Sequence, residues 1–289
     1  MQPSPLNAII QFAEASDQVS ALILIGSQAR TRMKADAFSD IDLIMVVKDA
    51  DPFIRSDTWL QAIGNVHISF TEHTVDGQME KRVMFDDAQD VDFVIMNESA
   101  ALQALKQGDA AAILSRGYRV LVDKLHLAMP QPHPLPIFTP ATEPEFTNLV
   151  QDFWFHTIWV TKKLLRSEVW AAKFCVDGYM KQRLLWMIEQ HEHIVRKSGD
   201  DTWYGGRFID RWAGEDILRD LSQSFAHYDR VDIAQALAKT MLLFRRLAVE
   251  VAQNSGFVYP AHADDYAAAW VGSHLAALIQ TIPHNGGAV

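Results

Sequence analysis

Six prolines fall within sixteen residues at 129–144, MPQPHPLPIFTPATEP. Each removes a backbone donor and steers its predecessor out of helical conformation. Neither a helix nor a central strand runs through such a stretch, so it predicts a linker or extended crossing between two units. The patterns on its two sides differ. Before it, short apolar runs at 21–25, 41–47, 66–70, 81–85, 91–95 and 118–122 read as strands, with helical periodicity at 6–15, 57–63, 98–106 and 109–115. That is an α/β unit with a mixed sheet. After it, apolar and aromatic residues recur at helical spacing over 145–167, 178–195, 208–222, 233–252 and 264–282, which predicts a helical bundle. The expected organisation is an α/β domain over 1–128, a linker over 129–144 and a helical domain over 145–289.

Composition narrows the partners. Cys175 is the single cysteine of 289 residues, which excludes a disulfide framework and a cysteine metal cluster. At 49% hydrophobic the chain can bury a sizeable core, yet no apolar run reaches the length of a membrane span. With no leader pattern at the start, a cytoplasmic protein without a membrane partner is expected, and a monomer is the default. The formal charge is −10 and no Lys/Arg cluster stands against it, which argues against nucleic acid as a partner. An acidic cleft would instead draw in a cationic small molecule.

The chemistry is concentrated in GSQARTRMKADAFSDIDLIMVV, residues 26–47. Asp40 and Asp42 sit two apart at the start of an apolar strand, so their side chains share a face. Two carboxylates a few Å apart repel each other and resist burial. A divalent cation relieves both costs, and Mg²⁺ prefers oxygen ligands shared among protein, phosphate and water. Asp92, in QDVDFVIM, repeats the pattern of an acid before an apolar run, with Asp90 on the same face. If the two strands are neighbours, three carboxylates converge in an arrangement suited to in-line nucleotidyl transfer. Gly26 and Ser27 follow the 21–25 strand, where glycine admits a phosphate to the backbone and N–H groups and a hydroxyl can bind its oxygens. Gly-Ser alone is ordinarily a turn and Asp-x-Asp alone a solvated edge; the ordered set carries the inference. Neither GxxxxGK[ST] nor GxGxxG occurs.

Other polar residues are candidates of lower information. Arg30, Arg32 and Lys34 can reach a phosphate or remain solvated. Lys162 and Lys163 lie on an aromatic-rich helix, where one of them can point toward a triphosphate. Glu168, Glu189, Glu192 and Asp177 are candidates to receive an amine-rich substrate. His191 and His193 lack a third ligand and read as structural. Trp203 and Tyr204 beside Gly205 and Gly206 mark a possible cleft-side loop, and Trp170 and Trp186 read as core.

The 26–47 stretch resembles the nucleotidyltransferase motif of the aminoglycoside 6-adenylyltransferases, also called streptomycin adenylyltransferases. The likeness extends to SDTWL at 56–60, MFDD at 84–87, VDFVIM at 91–96, FWFHTIWVTKKLLRSE at 153–168, RFIDRW at 207–212 and the 243–260 stretch, about residues 6–270 in all. The resemblance implies a polymerase-beta-like nucleotidyltransferase domain followed by a helical domain, with ATP and Mg²⁺ as cofactors. It implies AMP transfer to a hydroxyl of an aminoglycoside, streptomycin at its 6-position, with release of pyrophosphate. Asp40 and Asp42 match the metal-binding pair, Asp92 matches the third carboxylate, either base or ligand, and Lys162 falls where a lysine of the helical domain is expected. Relatives commonly carry arginine directly after Gly-Ser; here Gln28 stands there and Arg30 follows two positions later. Two other readings stay open: a nucleotidyltransferase for a protein or other small-molecule acceptor, and an inactive ATP-binding relative.

Overall fold

The computed structural model describes residues 5–30, 35–74, 77–108, 111–130, 138–202 and 205–280. The chain divides into two units, Met1–Leu135 and Pro136–Val289. Residues 131–137 of the proline-dense stretch, like Arg32, Lys34, Trp203 and Tyr204, lie outside the described residues.

The first unit is built on six strands: β1 (Val19–Ile25), β2 (Ile41–Val47), β3 (Ile68–His73), β4 (Met79–Met84), β5 (Asp90–Asn97) and β6 (Arg119–Asp123). Their order across the sheet is β3-β4-β5-β2-β1-β6, and β2 and β5 run parallel while the other neighbours are antiparallel. The near-continuous apolar runs of β1 and β2 follow from their inner places, since an inner strand is covered on both faces. One face, with Leu22, Leu24, Leu43, Met45, Val91 and Phe93, packs under α1 (Pro5–Ala15) and against Phe53 of α2 (Asp51–Arg55). The other face, with Ala21, Ile23, Ile25 and Val46, is partly covered by Ala101 of α3 (Glu98–Gln107) and Leu114 of α4 (Ala111–Leu114).

Register aligns side chains into rows across this second face, because residues directly opposite on neighbouring strands point the same way. One row runs Phe70, Arg82, Asp92, Asp42, Ile25 from β3 to β1. The adjacent row runs Glu72, Glu80, Val94, Ile44, Ile23.

The second unit is helical: α5 (Glu143–Leu165), α6 (Val169–Phe174), α7 (Met180–Ile194), α8 (Ile209–Trp212), α9 (Glu215–Ser222), α10 (Arg230–Ser255) and α11 (Ala261–Gln280). The Thr142 N–H donates to Glu145 Oε2 at 2.8 Å and so opens α5. The Asp229 carboxylate caps α10 by accepting from the Val231 and Asp232 N–H groups, and Gly256 in the left-handed region ends that helix. The core is centred on Phe153 stacked on Phe244 at 3.6 Å between ring centroids, with Trp154 edge-on to both.

Three local expectations are corrected. The 57–63 segment is a 3₁₀ turn over Thr58–Ala62, with the short α2 before it. The single helix expected over 208–222 is two, because Ala213 is extended and the Gly214 N–H donates sideways to Glu192 Oε1 at 3.0 Å. Trp170 is not core but 74% exposed. Among the described residues no helix is long and apolar enough to cross a membrane.

Candidate active site

The site grows out of the end of β1 and the starts of β2 and β5. Gly26 leaves β1 with φ +67°, a region open chiefly to glycine. A Cβ built there would lie 1.8 Å from Asp42 Oδ2, so the turn closes against the carboxylate only because position 26 has no side chain. The turn continues over Gly26–Gln28, with the Ala29 and Arg30 N–H groups both donating to Gly26 O at 3.2 Å. Gln28 Nε2 donates to Asp40 O at 3.1 Å, tying the turn to the loop that enters β2.

Asp42 and Asp92 are paired residues of the parallel β2–β5 ladder, and Asp40 precedes β2 by one residue. One carboxylate oxygen from each of Asp40, Asp42 and Asp92 lies within 4.8 Å of the others. Burial, then the negative charges of Asp40 and Glu80, push the Asp42 carboxyl up to about 6, against the Ser27 N–H it accepts from and the Arg82 charge. Burial likewise pushes Asp92 up to about 7, opposed by Arg82 and reinforced by Glu80, Asp42 and Asp40. Such mutual destabilisation of anions is what a divalent cation removes. Ser27 Oγ is buried without a hydrogen-bond partner among the described residues, a donor oriented by the same turn. Three hard oxygen ligands, a glycine pressed against one of them and an unsatisfied hydroxyl fit Mg²⁺ with a phosphate-bearing ligand.

Sequence reasoning did not single out Arg82. It stands opposite Asp92 across the β4–β5 ladder, and its Nη2 donates to Asp92 Oδ2 at 2.7 Å. Its Nε lies 3.1 Å from Glu72 and 3.4 Å from Glu80. The available signal was the alternation in MEKRVM, which puts Glu80 and Arg82 on the face opposite buried Lys81 and Val83. Lys81 is held by Ser56 O at 3.3 Å and by Asp57. Further along the triad's face lies a cavity of about 490 Å³ lined by Ile23, Ile44, Val46, Val94, Leu105 and Leu114 among others, with no titratable side chain among the described residues.

In the helical unit the lysine pair separates. Lys163 Nζ donates to Glu168 at 2.5 Å, whereas Lys162 is exposed, 5.8 Å from the Trp270 ring centroid and without a carboxylate partner among the described residues. The four candidate acids also separate. Glu168 is paired with Lys163 and Arg166, and Asp177 with Lys173 while accepting from the Ala226 N–H. Glu192 is buried, accepting from Gly214 and facing Arg196 at 3.4 Å. Glu189 alone of the four has no partner among the described residues, and burial pushes its carboxyl up to about 7. His191 is buried against Glu250 at 2.7 Å, and His193 stacks on Phe138, both structural contacts.

The mixed sheet carrying its carboxylates at the strand starts, followed by a helical bundle, defines a polymerase-beta-like nucleotidyltransferase fold. The streptomycin adenylyltransferase family model matches residues 3–273. The chain therefore belongs to that family, within the polymerase-beta-like nucleotidyltransferases. It is 23% identical over 261 residues to an aminoglycoside 6-adenylyltransferase of Campylobacter jejuni, covering 87% of this chain and 88% of that protein. It is 21% identical over 268 residues to one of Bacillus subtilis (strain 168), covering 88% and 91%. A crystal structure of an aminoglycoside 6-adenyltransferase from Bacillus subtilis aligns with a TM-score of 0.46 at 17% identity, over 94% of this chain and 98% of that one.

Proposed function

We propose that the protein transfers AMP from ATP to a hydroxyl of an aminoglycoside, with streptomycin at its 6-position as substrate. The convergence of Asp40, Asp42 and Asp92 beside the unsatisfied Ser27 hydroxyl, in a chain of this family, is the observation that carries the reading. Curated relatives bearing the name aminoglycoside 6-adenylyltransferase support the acceptor class.

Asp40 and Asp42 would hold Mg²⁺, with Asp92 completing the oxygen set or serving as base. When bound, the ion supplies charge neutralisation at the phosphates. The Gly26–Gln28 turn offers the Ser27 hydroxyl to the triphosphate, and Arg30 supplies positive charge to it. Asp92, whose carboxylate stands within 4.8 Å of the other two, takes the proton of the acceptor hydroxyl. The acceptor oxygen forms a bond to the α-phosphorus, the bond from that phosphorus to the bridging oxygen breaks, and the electron pair leaves with pyrophosphate.

The test is pyrophosphate release from ATP and Mg²⁺ with streptomycin added or omitted, with mass spectrometry on the drug. Drug-dependent release and a drug heavier by one AMP are expected. Release with no streptomycin dependence, or none while ATP still binds, refutes the streptomycin assignment.

A further inference from the structure

The row of side chains that contains the triad does not stop at Asp92. It continues through Arg82 to Phe70 on β3, an edge strand of the sheet. On this outer part of the face Ile68 is 59% and Phe70 49% exposed, although the alternation of a half-buried strand places apolar residues inward. A shallow cavity of about 110 Å³ lies here, lined by Ile68, Phe70, Arg82, Met84, Asp90 and Asp92 among others. It therefore joins the exposed apolar pair directly to the third carboxylate of the triad.

The charges here are one-sided. Glu72, Glu80 and Asp90 share the face with Asp40, Asp42 and Asp92, and Arg82 is the cation placed among them by the register. Its guanidinium is divided between Asp92, Glu72 and Glu80. A divalent cation at the triad would still leave carboxylate charge uncompensated on β3 and β4. A ligand that fits has a cationic amine or guanidine group and a ring with an apolar face. Strands lie about 5 Å apart, so the distance from Asp92 on β5 to Phe70 on β3 is about 10 Å, the span of a two-ring compound.

We infer that the outer β3–β4 face is the acceptor subsite. A hydroxyl is presented at Asp92, the ring lies over Phe70 and Ile68, and a cationic group meets Glu72 and Glu80. The inference rests on the AMP-transfer reading above and adds where the acceptor lies and which residues select it. Arg82 is the positioning residue between the two parts. It donates to Asp92 at the inner end and lies against Glu72 and Glu80 at the outer. Phe70 supplies a ring face for a cation or for C–H groups.

Phe70→Ala and Glu72→Gln are the informative variants, because both residues are exposed and neither belongs to the triad. The probe is streptomycin, measured by calorimetric binding to the full chain and by steady-state AMP transfer. We expect Kd and KM for streptomycin to rise about threefold to tenfold in each variant, as loss of an exposed ring or charge contact implies. The KM for ATP, kcat and the melting temperature stay within twofold or a degree of the parent. The Glu72→Gln effect shrinks in high salt, and Glu72→Asp restores part of the affinity. Unchanged streptomycin Kd and KM in both variants, with the parent transferring AMP, overturns the subsite and leaves the reaction standing. A parent that transfers no AMP overturns the reaction itself, and that is read before any variant is made.

Discussion

At the scale of single residues the site is defined by what cannot be exchanged. Asp42→Asn removes one of the carboxylates proposed to hold the cation, while relieving the cost that burial and the Asp40 charge impose on its anion. AMP transfer should fall about a thousandfold or more, with thermal stability unchanged or raised; near-normal turnover would remove Asp42 from the metal pair. Gly26→Ala acts by a different route. Its Cβ would occupy the position of the Asp42 carboxylate and its φ of +67° disfavours any side chain. Transfer should drop at least about a hundredfold, and melting should shift down as well, by the equivalent of about 1–3 kcal/mol for the left-handed position and the clash. Loss of both activity and stability separates this variant from Asp42→Asn, where only activity is lost.

Glu189 makes a prediction about pH. Its carboxyl is raised from 4.5 to about 7 by burial. Below the unfolded value it is protonated in both states and has no effect. As pH rises from 4.5 toward 7 the unfolded chain ionises first, so folding loses stability, and above 7 the loss is constant. Glu189→Gln should therefore stabilise the chain at pH 8 by about 1 kcal/mol, discounted for solvent screening, and leave it unchanged near pH 4.5. Melting curves of parent and variant at the two pH values measure this. A gain of equal size at both would assign the effect to packing instead.

At the scale of elements, helix ends explain where boundaries fall. Asp229 accepts from the Val231 and Asp232 N–H groups at 2.8 and 2.9 Å. Asp229→Ala should cost about 1 kcal/mol in denaturant melts, without changing transfer kinetics. Much of the element order was legible: strand periodicity located β1, β2 and β5, and the helical stripes located α1, α5, α10 and α11. The break between α8 and α9 was not legible. It depends on Glu192, distant in sequence, accepting from Gly214, and on Arg196 lying where a Cβ at 214 would stand, 2.2 Å from its Nη1. The convergence of the three carboxylates was legible because an acid directly before an apolar run, with a second acid two residues earlier, recurs in both strands. Arg82 was not, since its partnership with Asp92 comes from the β4–β5 register, set by a short turn in which Asp87 and Ala88 both have positive φ. Trp170 was misplaced because helical periodicity identifies a stripe, while tertiary contacts decide whether that stripe is covered.

At the scale of the whole molecule, the formal charge of −10 would act on the two proposed substrates at once and with opposite sign. A streptomycin cation is attracted to the chain, and MgATP, which remains anionic, is repelled. Both effects act through solvent and weaken as the Debye length falls from about 10 Å at 0.1 M salt to about 3 Å at 1 M. Raising salt should therefore increase the KM for streptomycin by about threefold to tenfold over that range, while the KM for ATP stays level or falls. Non-specific salt inhibition would raise both together. If the acceptor were uncharged, neither constant would separate from the other, and the acidity of the chain would have no part in selecting what it modifies. Running the two titrations on the same preparation makes the ratio of the two constants the reading, independent of the fraction of active protein.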